Sequence, residues 1–317
     1  MAFTYKSALV TGGAGFIGSH LTEALVAEGC RVVVLDNLTS GYMANLDAVI
    51  DRVDFIRGDI RDQQTVSKAI RNSEVVFHLA AVVSVPQTVE QPVESAMVND
   101  MGTLNIFEAA RDNHVGSVVF ASSSAVYGDD PELPKNEAMI PNPLSPYAIQ
   151  KITGEYYAHM YNGLYGVKLT ALRFFNVFGP RQDPSSPYSG VISVFMQKAV
   201  TGSQPIIYGD GTQSRDFIYV KDVVRAIILA AAAPTAGGIS INVGTGKSVS
   251  IIRLWEIIAQ ANGSKDQPQY APPRSGDIHA SVADISRAKS LIGFSPEYTF
   301  DQGLRQTFKW YREYSTY

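Results

Sequence analysis

The stretch Thr11-Gly12-Gly13-Ala14-Gly15-Phe16-Ile17-Gly18 constrains the fold more than any other. It follows the apolar run Ser7-Ala8-Leu9-Val10. It precedes a helical pattern with Ile17, Leu21 and Leu25 on one face and Gly29 as its stop. Strand, glycine turn and helix in that order form a seat for a dinucleotide. Gly12 permits the tight turn, Gly15 lets the backbone approach a pyrophosphate, and Gly18 allows close packing of helix on strand. The helix N-terminus, at Phe16 and Ile17, presents its positive end to the phosphate charge. The spacing is G-x-x-G-x-x-G rather than G-x-G-x-x-G.

Arg31 to Leu35 reads as a second strand, and Asp36 follows it. An acid about twenty residues past the glycines can accept hydrogen bonds from the adenosine ribose hydroxyls. It would repel a 2′-phosphate, and neither Asn37 nor Leu38 supplies an arginine to hold one. The expected cofactor is therefore NAD. The alternation continues with strands at Val53 to Ile56, Val75 to Leu79 and Ser117 to Ala121 and a long helix at Val93 to His114 containing Asn99. Gly58-Asp59-Ile60 ends one strand, where Asp59 could meet an adenine edge. Ala80 and Ala81 end the next and leave room for a ligand. Ser122, Ser123 and Ser124 end the third. Such alternation implies an α/β fold with a doubly wound parallel sheet, whose ligands bind at the carboxyl ends of the strands.

Ser145 and Pro146 then supply an N-cap and a first helical residue for a helix running to about Tyr165. Tyr147 and Lys151 lie four apart, on one face of that helix. A phenol ionises near pH 10, and an adjacent ammonium is expected to pull that down, making Tyr147 a candidate proton carrier. Lys168 to Phe174 is a further strand. After Asn176 the chain becomes irregular. A turn-rich loop leads to Gly190, a helix spans Val191 to Val200, a short strand is expected at Pro205 to Tyr208, and Ser214 to Tyr219 holds Arg215 and Asp216. Val220 to Ala233 is helical, Ile239 to Val243 reads as another sheet strand, and Ser250 caps a helix to about Asn262. This divides the chain into a nucleotide-binding domain (residues 1–175 plus 220–245) and a smaller interleaved lobe (176–219 plus 246–317).

The formal net charge of −4 and the lack of a long basic run argue against a nucleic-acid partner. No run of eighteen apolar residues suggests a membrane span, and Met1 to Ser7 leads straight into a strand, so a cytoplasmic protein is expected. Cys30 is the single cysteine, and the five histidines show no metal-ligand spacing, so no metal is expected.

Together these motifs resemble the extended short-chain dehydrogenase/reductases, and most closely their UDP-hexose 4-epimerases. The resemblance is carried by the three glycines, Asp36-Asn37-Leu38, Asp59, Leu79-Ala80-Ala81, Asn99, Ser122-Ser123-Ser124, Tyr147-x-x-x-Lys151, Arg173 to Pro180, Arg215-Asp216 and Arg274-x-x-Asp277. It implies a Rossmann sheet, bound NAD, a UDP-sugar substrate and a homodimer paired through the helices 93–114 and 150–165. It implies Tyr147 as base, Lys151 as its partner on the nicotinamide ribose, and Ser123 or its neighbour Ser124 as the hydroxyl contact. Phe174 joins the cofactor positions. Asn176, Arg215, Arg274 and Asp277 match positions that hold the sugar, the diphosphate and the uridine, with Tyr208 near the uracil. Ser84, Ala125, Gly190, Val191 and Ser281 fall around the sugar, and small side chains there imply room for an N-acetyl group. Ala125 stands where related dehydratases and decarboxylases carry an acid. The implied reaction is 4-epimerisation of UDP-N-acetylglucosamine and UDP-glucose. UDP-glucuronate 4-epimerisation, another nucleotide-sugar conversion or a non-catalytic NAD-binding role are the alternatives.

Overall fold

The computed structural model describes residues 3–183, 190–263, 267–273 and 279–314. The first half alternates as read. β1 (Ser7–Thr11), α1 (Phe16–Ala27), β2 (Arg31–Asp36), β3 (Val53–Arg57), α2 (Gln63–Ala69) and β4 (Val75–His78) follow one another. Then come α3 (Val85–Glu90), α4 (Pro92–Ala96), a π-helical turn (Met97–Gly102), α5 (Thr103–Asp112), β5 (Ser117–Ser123), α6 (Pro146–Tyr165) and β6 (Leu169–Phe174). The second half holds β7 (Asn176–Phe178), α7 (Val191–Val200), β8 (Ile206–Tyr208), β9 (Ser214–Arg215), β10 (Phe217–Tyr219), α8 (Val220–Ala232) and β11 (Ile239–Val243). It closes with β12 (Val249–Ser250), α9 (Ile251–Ala261), β13 (Gln269–Ala271), β14 (Ala280–Ser281), α10 (Ser286–Ile292) and α11 (Phe300–Tyr314).

Seven strands form one parallel sheet in the order β11-β6-β5-β4-β1-β2-β3. Parallel strands covered on both faces must be apolar on both, and all four residues of β4 are buried. Leu21, Leu25, Val223, Ile227 and Ala288 cover one face from α1, α8 and α10. Val66, Ile106, Phe107, Ala158 and Tyr161 cover the other from α2, α5 and α6. The strand order reverses between β1 and β4, which opens a crevice at their carboxyl ends. The short strands outside the main sheet pair among themselves, β7 with β10, β9 with β12 and β14, and β8 with β13. Phe195, Leu254, Trp255, Phe308 and Tyr311 pack α7, α9 and α11 into a separate core.

One segment departs from the sequence expectation. The single helix expected over Val93 to His114 is broken by the π-helical turn, where Asn99 and Thr103 turn inward. Thr103 Oγ1 donates to the Asn99 carbonyl and meets His78 Nε2 at 2.9 Å, and His78 Nδ1 meets Thr11 Oγ1 at 2.8 Å. These buried bonds hold the bulge. The stretch Ser214 to Tyr219 is two strands, parted at Asp216. Its buried carboxylate accepts from Thr245 N, Gly246 N and Ala283 N, at 2.8, 2.9 and 3.1 Å.

Candidate active site

The glycine turn is a steric cradle. Gly12 has φ +70°, and its N–H donates to Leu35 O at 2.9 Å. A Cβ on Gly18 would lie 2.0 Å from Gly12 O, so turn and helix touch backbone to backbone. α1 begins after Gly15, which offers no side-chain cap to its first N–H groups. Beside the turn, Asp36 Oδ2 accepts from Ala14 N–H at 2.9 Å and Oδ1 from Leu38 N–H at 2.8 Å. Each oxygen keeps a lone pair for a ribose hydroxyl. An uncapped helix end, a turn with no room for a Cβ and a fixed acid together fit a dinucleotide.

The other cofactor candidates line the same strand ends. Asp59 is held by Arg61 and by Asn37 Nδ2 at 3.0 Å, and Arg61 foremost brings its carboxyl down to about 2. Ile60 is buried beneath Gly102. The N–H groups of Leu79 and Ala80 both donate to Thr11 Oγ1, which fixes the approach to Ala81. Asn99 accepts from Val82 N–H at 2.8 Å and donates to Val82 O and Gln150 Oε1, so both its amide hydrogens are used inside the protein.

Ser145 Oγ caps α6 by accepting from Ala148 N–H at 3.2 Å, and Pro146 opens the helix. Gly154 lets α6 press onto β5, since a Cβ there would meet the Phe120 ring at 2.6 Å. That approach brings Lys151, 4% exposed, to donate from Nζ to Ala121 O at 2.8 Å. Its Nζ lies 5.7 Å from the centroid of the Tyr147 ring. The expected depression of the Tyr147 phenol is not found. Burial disfavours the phenolate and raises it, while the Ser123 hydroxyl hydrogen-bonds the phenol and works the other way. Lys151 itself is pushed down to about 8 by burial, opposed by the Asp100 carboxylate on the π-helical turn. Ser123 ends β5 opposite Phe174 in the register with β6, and Ser124 starts a short 3₁₀ turn.

The substrate candidates are spread over both halves of the chain. Asn176 N–H donates to Asp216 O at 3.0 Å. Arg215 pairs in register with Ser281, and its Nη1 donates to Ser214 O at 2.9 Å. Gly190 precedes α7, whose first residue is Val191. Tyr208 ends β8, half-buried. Ser84 Oγ caps α3 by accepting from Gln87 N–H at 3.2 Å. Arg274 and Asp277 lie outside the described residues.

One buried group behind the site had gone unread. Glu155 accepts from Arg173 Nη2 at 2.7 Å, from Ser240 Oγ at 2.6 Å and from Ser122 Oγ. It ties α6 to β5, β6 and β11, bonding the residue next to Ser123. The signal was its place four residues past Lys151, on the face shared with Tyr147.

Residues 8–244 match the family described as "NAD dependent epimerase/dehydratase family". The chain belongs to that family. It is accordingly an NAD-dependent enzyme. A UDP-glucose 4-epimerase of Mycolicibacterium smegmatis is 42% identical over 311 residues, covering 97% of this chain and 99% of that one. Among solved structures, the UDP-N-acetylglucosamine 4-epimerase of Methanobrevibacter ruminantium, in complex with UDP-N-acetylmuramic acid, superposes with a TM-score of 0.94 at 44% identity. That match covers 97% of this chain and 98% of the other. The UDP-glucose 4-epimerase of Thermotoga maritima, with UDP-glucose, gives 0.93 at 37% identity, covering 97% and 99%.

Proposed function

We propose that this enzyme inverts carbon 4 of a UDP-hexose, with UDP-N-acetylglucosamine and UDP-N-acetylgalactosamine as its main pair and UDP-glucose and UDP-galactose also accepted. The observation that carries the reading is the convergence of Tyr147, Ser123 and buried Lys151 at the strand ends that also bear the glycine cradle, with Lys151 Nζ 5.7 Å from the Tyr147 ring centroid and bonded to Ala121 O. The glycine turn and Asp36 would hold NAD, with Lys151 toward its nicotinamide end, and the cofactor would supply a reversible hydride acceptor for carbon 4 of the sugar.

The protein's own part is proton handling and tethering. Tyr147 takes the proton of the 4-hydroxyl and gives it back, and Ser123 donates a hydrogen bond to the same oxygen. A phenol raised by burial is a reluctant anion. The Lys151 ammonium and the Ser123 hydroxyl supply the stabilisation available within this chain. Arg215 and Arg274 grip the diphosphate and Asp277 the uridine ribose, away from the reacting carbon, so the sugar is free to turn. Ser84, Ala125, Gly190 and Ser281 leave room for an N-acetyl group.

A panel of UDP-sugars with products separated by chromatography tests this. Interconversion of UDP-N-acetylglucosamine with UDP-N-acetylgalactosamine is expected, with slower conversion of UDP-glucose. Conversion of UDP-glucuronate alone, or of no UDP-hexose by NAD-loaded protein, would overturn it.

We also read the enzyme as a homodimer. Val89, Val93, Met97 and Met101 recur every four residues and are exposed, Val93 to 77%. Ile149, Tyr156 and Leu164 extend the apolar face along α6. A second copy of the same face would cover it. Light scattering is expected to return twice the mass of the 34.4 kDa chain, and a monomer would contradict this.

A further inference from the structure

The loop after β2 returns to the glycine turn. Tyr42 N–H donates to Ala14 O at 3.0 Å, and Asn45 Nδ2 donates to the same oxygen at 2.8 Å. Gly41 lies so near that a Cβ would meet the Ala14 backbone at 2.9 Å. One rim of the cradle is thereby anchored. The other rim comes from the chain after β7. A Cβ on Gly179 would lie 3.4 Å from the Phe16 ring. His20 Nε2–H donates to Pro180 O at 3.0 Å, and the Arg181 guanidinium pairs with Glu23. Both loops are thus pinned to the first turns of α1, one at Ala14 and one at Phe16, His20 and Glu23.

The two rims are joined. Tyr42 OH donates to Asp183 Oδ2 at 2.8 Å, between residues 141 apart in the chain. The carboxylate holds the phenol above its ordinary range, so Tyr42 remains the donor. Packing does not explain the ring's position, because Tyr42 is 52% exposed. The bond joins the loop held at Ala14 to the loop held at Phe16, His20 and Glu23, so both loops that flank the start of α1 are linked.

We propose that Tyr42 and Asp183 form a clasp over the diphosphate of the dinucleotide and slow its release. The clasp rests on the reading of the glycine turn as the diphosphate seat, and is independent of which sugar is used. An exposed hydrogen bond adds little equilibrium stability. A contact that must open before the ligand can leave acts instead on the dissociation rate. An enzyme that regenerates its NAD in every turnover gains from keeping it.

The test uses NAD-loaded full-length protein, diluted into buffer containing an NAD-degrading enzyme, with NAD per protomer followed over time. Tyr42→Phe removes only the donor, and Asp183→Asn removes the charge. Each is expected to speed NAD loss about tenfold, and the double variant no more than either single one. Melting temperatures of the NAD-free forms check that the fold is intact. Unchanged loss in Tyr42→Phe, or additive effects in the double variant, overturns the clasp. A wild-type protein that neither carries nor takes up NAD overturns the cradle reading itself, and the clasp with it.

Discussion

The glycine cradle, which we assign to the dinucleotide, and the small lobe, which we assign to the sugar, hold their side chains by different means. In the cradle, backbone meets backbone. A Cβ on Gly18 would stand 2.0 Å from Gly12 O, and Asp36 is fixed by two main-chain N–H groups. In the lobe, Arg215 and Ser281 sit on paired strands of two residues each. The first arrangement leaves no tolerance, as retaining a bound cofactor requires. The second leaves freedom, as a sugar that must present both faces requires. Tyr147 and Lys151 stand between the two, on a long helix pressed against the sheet.

Substitutions can break this contrast, beginning with the cradle. Gly18→Ala places a methyl group against an immovable carbonyl, at a cost of about 1–3 kcal/mol or more. The purified variant is expected to contain no NAD and to melt at a lower temperature; a normally loaded Gly18→Ala would show the turn to be pliable. Tyr147→Phe, by contrast, is expected to keep NAD and the fold while turnover falls about 10²–10⁴-fold. Near-normal rates would remove Tyr147 from the chemistry.

Two smaller effects probe the helix and the lobe. Lys151, pushed down to about 8, loses its ammonium as pH rises through that value, so turnover is expected to decline on the alkaline side. Asp100→Asn removes the charge that opposes this shift, lets Lys151 fall further and moves the alkaline limb of the kcat profile to lower pH. His78, which also feels Lys151, is pushed down to about 3 by burial and stays neutral throughout. A limb that does not move would dissociate Asp100 from Lys151. Last, Ser281→Tyr is expected to weaken use of N-acetylated sugars about tenfold while sparing UDP-glucose, and equal losses would show that Ser281 does not gauge the sugar.

Asp59 and Asn99 mark where a one-dimensional reading stops. Asp59 stands just past a strand end and Asn99 within the helical stretch, as expected, but Asp59 is occupied by Arg61 and Asn37, and Asn99 by Val82 and Gln150. Both look like open ligands in the sequence, because Asn37, Val82 and Gln150 come from distant segments and leave no local pattern. The π-helical turn is similar. Val93 to His114 carries a helical period, and the bulge is held through His78 on β4 and Thr11 on β1, which that period does not record.

By itself the sequence determined whatever depends on near neighbours. The glycine turn, the cap at Ser145-Pro146, the alternation that builds a parallel sheet and the placement of Tyr147 and Lys151 on one helical face all follow from spacing and backbone preference. Tertiary structure alone decided the electrostatics. The Tyr147 phenol is raised, not lowered, because burial disfavours the phenolate by more than the Ser123 hydroxyl favours it. Spacing states which groups are near one another along a helix, whereas the energy of a charge depends on everything that surrounds it.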